Sequence, residues 1–163
     1  DVLMPPLSPA ELTLAYALGG VTRGLVVAVA VWIGLLPFVD IPVHNLAAIV
    51  YFAFMASLML SLVGLIGGIW ADKFDHVAAV QNFVITPLSF LSGTFYTIDR
   101  LPESWHIAAY LDPFFYMIDG FRWAFIQESD VSPWLSLGMG LLFFLLAGGL
   151  ALALLQRGYK LRS

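Results

Sequence analysis

One stretch, Asn82 to Trp123, restricts the folds open to this chain: NFVITPLSFLSGTFYTIDRLPESWHIAAYLDPFFYMIDGFRW. It begins as an uncharged apolar run and breaks up around Asp99–Pro102. It then resumes as a second apolar segment that carries Asp112, Asp119 and Arg122. Aqueous loops are rarely so rich in Trp, Tyr and Phe, and an anchoring helix is not followed by apolar sequence broken by proline and charge. A segment too apolar for water and too broken to span matches a re-entrant or interfacial element, which survives at membrane depth only against protein or a wet cavity.

The composition agrees with a membrane setting. Hydrophobic residues make up 61% of the chain and charged residues only 11%, against about a quarter charged in soluble domains. Mean hydropathy is +0.91. A chain of 163 residues with this balance predicts an all-α integral membrane protein with about four spans. The net charge of −4 and the lack of a basic run argue against a nucleic-acid partner. There is no cysteine, which removes disulfides, thiol catalysis and Cys-type metal sites. The chain opens on Asp1 with polar, Pro-rich residues that do not form a signal peptide. A fragment lacking N-terminal residues is therefore expected.

Residues 1–22 come first. Ser8-Pro9-Ala10-Glu11 is a helix start, with Ser at the N-cap, Pro at N1 and Glu placed for a capping box. A short amphipathic helix on the membrane surface is one reading of this segment; a loop leading into the first span is the other. The predicted spans are 24–39 (extended backward by Leu18–Thr22), 46–70, 77–98 and 131–155, with 99–130 as an external region. Leu46–Trp70 is free of charge and carries small residues three and four apart, a surface for close helix packing. Arg23, Lys73, Arg157, Lys160 and Arg162 lie on one side, Arg100 and Arg122 on the other. The positive-inside rule then puts both termini in the cytoplasm and the broken region outside.

Few residues offer chemistry. No phosphate-binding loop of the GxxxxGK[ST] type is present. His44, His76 and His106 fall in three separate connections, so no shared metal site is expected, and no serine has a nucleophile context. An enzyme is not expected. Gln81, Asn82 and Thr86 lie within a span, where they either line a substrate path or hydrogen-bond between helices and around Pro87. Asp112 before Pro113 is placed to N-cap the second half-segment. Asp119 and Arg122 stand i, i+3 on one helical face and can pair. The aromatics Trp105, Tyr110, Phe114, Phe115, Tyr116, Phe121 and Trp123 read as an interfacial belt, with sugar or lipid contact as the alternative.

These residues also carry a resemblance. Leu101-Pro102, Pro113-Phe114-Phe115-Tyr116 and Arg122 resemble the C-terminal signature of ABC-2 type transporter permeases, the membrane subunits of export-type ABC transporters. Pro87–Gly93, the closing Gln156-Arg157-Gly158 and Leu161-Arg162-Ser163, and the opening Asp1–Ser8 are similar to bacterial members; Thr94 departs from the pattern. The resemblance covers essentially the whole chain. It implies a six-span family, of which this chain holds spans three to six, in the bacterial inner membrane.

The resemblance implies further that ATP and Mg are bound by a separate ATPase subunit, with no cofactor in this chain. A second permease copy, membrane lipid and the exported substrate are the other implied partners. The segment before the first span here, with Pro5, Leu7, Ser8, Glu11 and Leu12, would dock on the ATPase. The broken region, with Pro102, Asp112, Pro113, Tyr116, Asp119 and Arg122, would form re-entrant half-helices closing the outer end of the pathway. A secondary transporter or channel subunit is the competing expectation, because broken helices at membrane depth occur there too.

Overall fold

A computed structural model describes residues 8–71, 73–94, 100 and 102–157. Three helices are long and apolar enough to cross a membrane: α1 (Pro9–Leu35), α2 (Leu46–Trp70) and α7 (Pro133–Gln156). Between α2 and α7 the chain forms α3 (Phe74–Val80), a π-helical turn (Gln81–Ile85), α4 (Thr86–Leu91), α5 (Glu103–Leu111) and α6 (Pro113–Ile126).

α1 starts where the sequence predicts. The Ser8 hydroxyl accepts from the Glu11 N–H at 3.2 Å, and the Glu11 carboxylate accepts from the Ser8 N–H at 2.8 Å. The helix then runs unbroken for 27 residues, about 40 Å at 1.5 Å per residue. Residues 9–22 are thus part of the same rod as the first predicted span and not a separate surface helix. Two features hold them there. Thr13, Ala17 and Val21 recur every fourth residue and are buried. Gly20 and Gly24 have no room for a Cβ because Ser61 and Ser57 of α2 sit against them. These pairs, with the Ser61 hydroxyl donating to the Tyr16 carbonyl oxygen at 2.8 Å, set an antiparallel register between the two rods. Close approach of small residues is the usual way for apolar helices to gain contact in lipid.

The predicted third span, 77–98, differs in its bounds. Its helix begins at Phe74 and ends at Leu91, because Gly93 takes the left-handed conformation (φ 83°) that closes a helix. Residues 95–99 lie outside the described part of the chain. α3, the π turn and α4 together make 18 helical residues, about 27 Å long.

The core is built by α2, α6 and α7, with α1 against α2 and α7. The Tyr51 hydroxyl donates to the Leu137 carbonyl oxygen at 3.0 Å. This links the second turns of α2 and α7, so both helices start at the same end and run the same way. α6 runs against both. Its Gly120 faces Phe52 of α2, its Met117 faces Gly140 of α7 and its Tyr116 faces Phe143. The Asn45 N–H, just before α2, donates to the Ala124 carbonyl oxygen near the end of α6 at 3.0 Å. Continuing this register back from Gly120 puts the α5–α6 junction near the midpoints of α2 and α7.

Candidate functional site

The site is the two-helix element α5–α6 and the turn that follows it. α5 has 9 residues and α6 has 14, about 14 and 21 Å. Neither reaches across about 30 Å of hydrocarbon. Asp112 joins them. Its extended backbone ends α5, and its Oδ1 accepts from the Phe114 N–H at 2.9 Å, capping α6, with Pro113 at the first helical position. Asp112 is only 2% exposed, and its second oxygen, Oδ2, is buried without a hydrogen-bond partner. The Tyr116 hydroxyl donates to the Tyr110 carbonyl oxygen at 2.8 Å across the same junction, and the Phe115 ring meets Tyr110 edge-on.

Two turns further on, Asp119 is 1% exposed and serves three donors. The Arg122 guanidinium lies 2.8 Å from its Oδ1, the Asp130 N–H donates to the same oxygen at 2.7 Å, and the Val131 N–H reaches Oδ2 at 3.4 Å. Arg122 also pairs with the Asp130 carboxylate at 2.7 Å. The i, i+3 spacing predicts the first of these contacts. The others tie α6 to the start of α7, and Asp130 is a member of the network that spacing alone does not reveal. At the same end, Gln127, left-handed at φ 62°, contacts His44, whose ring packs edge-on against Trp123. The polar groups of both connections thus gather at one end of the bundle.

The remaining sequence candidates fall elsewhere. Pro102 is exposed and precedes α5. Ser8, Glu11 and Leu12 lie at the opposite end of the molecule from Asp119, by the antiparallel register of α1 on α2; Pro5 and Leu7 lie outside the described residues. Gln81 helps line a cavity of about 240 Å³ beside Gly64 and Gly67. Asn82 and Thr86 are exposed, and the Thr86 hydroxyl donates to the Gln81 carbonyl oxygen at 2.9 Å, spanning the π turn. Among the described residues, none of these three forms a hydrogen bond to α5 or α6. Of the seven aromatics read as a belt, Trp105 and Tyr110 are exposed, whereas Phe114, Phe115 and Tyr116 are core. Burial in the α2–α7 cleft claims them before any interface can. A second cavity, about 480 Å³ and almost wholly apolar, lies between α1, α2 and α6. Among the described residues no cluster of His, Asp and Glu could hold a metal ion.

Long apolar helices enclosing a broken two-helix element define a polytopic α-helical membrane protein. The ABC-2 type transporter family model matches residues 2–126, and the chain belongs to that family. It is 35% identical over all 163 residues to the inner membrane transport permease YadH of Escherichia coli K12, spanning 64% of that protein's length. Nodulation protein J of Rhizobium leguminosarum bv. viciae is 32% identical over 104 residues, 63% of this chain and 40% of the relative. No solved structure gives a significant match.

Proposed function

We propose that this chain is part of the permease subunit of an ATP-driven exporter, forming the outward pathway for an amphipathic, lipid-linked, polysaccharide or drug substrate. Family membership, together with a short α6 that runs antiparallel to α2 and α7 over about half their length, supports this reading. The chain sits in the bacterial inner membrane with four crossings, α3–α4 being one of them, and with both ends cytoplasmic. α5–α6 enters and leaves on the outer side and gates the pathway there. A membrane placement of this kind leaves Asp119, Arg122 and Asp130 near the outer surface, where their charges cost less than at the bilayer centre. ATP and Mg belong to a partner ATPase, and a second permease copy completes the transporter.

Coupling to the ATPase runs through the start of α1, where Ser8, Glu11 and Leu12 cap a rod longer than the hydrocarbon core. A Leu14→Pro change removes one helical hydrogen bond at an exposed position and costs about 3 kcal/mol of local helix stability. In the complete six-span permease co-expressed with its ATPase, substrate-stimulated ATP hydrolysis is expected to fall while membrane insertion persists. Stimulation equal to wild type would remove the coupling role. Transport that proceeds without any ATPase subunit would replace the exporter reading with a secondary transporter or channel.

A further inference from the structure

Asp112 is a buried acid that helix capping uses only in part. One oxygen caps α6 and the other is sealed from solvent with nothing donating to it. Among the described residues no charged group compensates it. On α5 the ionisable residues are Glu103, His106 and Tyr110. On α6 they are Tyr116, whose hydroxyl is committed to the Tyr110 carbonyl, and Asp119 and Arg122, which are paired with each other. α2 brings only Tyr51, bonded to Leu137, and neither α4 nor α7 carries any ionisable residue. A carboxylate in such surroundings is held at a desolvation cost, whereas the neutral acid is not.

The two helices that meet at Asp112 are anchored unequally. α6 is wedged between α2 and α7, with Phe114, Phe115, Tyr116 and Met117 all buried. α5 buries only Ala109 among its described side chains, and leaves Trp105, Ile107 and Leu111 exposed. α5 is therefore the less firmly held of the two within this chain, and Asp112 is the pivot between them. We propose that docking of α5 on α6 is linked to a proton on Asp112, so that the element opens as the surrounding medium goes from acid to neutral. The bond formed and broken is the Oδ2–H of the carboxyl; on ionisation the proton passes to water admitted between α5 and α6 as α5 swings away, and that water then solvates Oδ2.

The direction follows from burial. Oδ2, sealed from water, favours the neutral acid, while the Phe114 hydrogen bond to Oδ1 favours the carboxylate and offsets this only in part, so the docked state holds its proton to a higher pH than the open state. A raised value in the docked state means that docking is fully favoured below the undocked value and is lost as pH rises towards and past the docked one. Linkage between these two values changes the docked-to-open ratio about tenfold between pH 5 and pH 7.5.

The test uses spin labels at Ile107 of α5 and Leu142 of α7 in the complete permease, reading their separation against pH. The wild-type ratio of docked to open distances is expected to fall about tenfold over that interval, by linkage. Asp112→Asn keeps the capping oxygen but cannot ionise, and should flatten the profile to less than about twofold. Asp112→Ser, another N-cap residue, serves as a second neutral variant. A wild-type profile without pH dependence, or one unchanged in both variants, would overturn the proposal. The placement of α5–α6 towards the outside rests on the exporter reading, but this measurement follows helix docking alone. It therefore stands or fails separately from transport.

Discussion

Replacing Gly120 by valine is expected to destabilise the protein by about 3 kcal/mol or more, at the upper end of overpacking effects in a closed core. A Cβ at this position would enter the ring of Phe52, and that ring is 0% exposed. Fully buried against α6 and edge-on to Tyr51, it can give way only by displacing its neighbours. Gly120→Ala tests the same contact more gently. Helix propensity alone favours alanine by about 1 kcal/mol, so net destabilisation by alanine identifies the clash. Combining Gly120→Ala with Phe52→Val should recover part of the loss, as expected for neighbours that share one volume. Thermal unfolding in detergent reads all three. Equal stability of Gly120→Val and wild type would show that α6 does not seat against α2.

Loss of Asp119 is expected to have an effect of similar size. Asp119→Ala removes the acceptor for the Asp130 and Val131 N–H groups and leaves Arg122 with Asp130 alone. Breaking a buried charge pair from one side costs about 3–5 kcal/mol. Arg122 is 20% exposed, so the lower end of that range applies. A double-mutant cycle between Asp119 and Arg122 should give a coupling of about 1–3 kcal/mol, with α7 entry loosened in Asp119→Ala and little changed in Asp119→Asn. A coupling near zero would mean that the carboxylate holds the backbone of residues 130 and 131 and nothing else.

Local rules made part of this legible. The capping box at Ser8 and Glu11, the N-cap at Asp112 and the i, i+3 pair at Asp119 and Arg122 each depend on residues within four positions of one another, where spacing fixes geometry. Charge-free runs mark α2 and α7 because a membrane helix needs length and little else. The continuity of α1 was legible only back to Leu18; residues 9–17 read equally as a surface helix or a loop until Ser57 and Ser61 are found opposite Gly24 and Gly20. The π turn and the early end at Leu91 depend on how backbone groups around Pro87 and Gly93 are satisfied, which no periodicity reports. Asp130 and the Phe52–Gly120 contact join segments far apart in the chain. The burial of Phe114, Phe115 and Tyr116 follows from α6 lying in the α2–α7 cleft, which an aromatic-rich sequence does not distinguish from an interfacial belt.

The proposed entry and exit of α5–α6 on the outer side of the membrane can be tested by labelling. The chain has no cysteine, so single cysteines at Ser104, Gln127 and Arg157 can be reacted one at a time with a membrane-impermeant maleimide, in a complete permease stripped of any others. In intact spheroplasts positions 104 and 127 should both label, and position 157 only after permeabilisation. Labelling of 104 and 127 from opposite sides would turn the element into a fifth crossing and contradict the account.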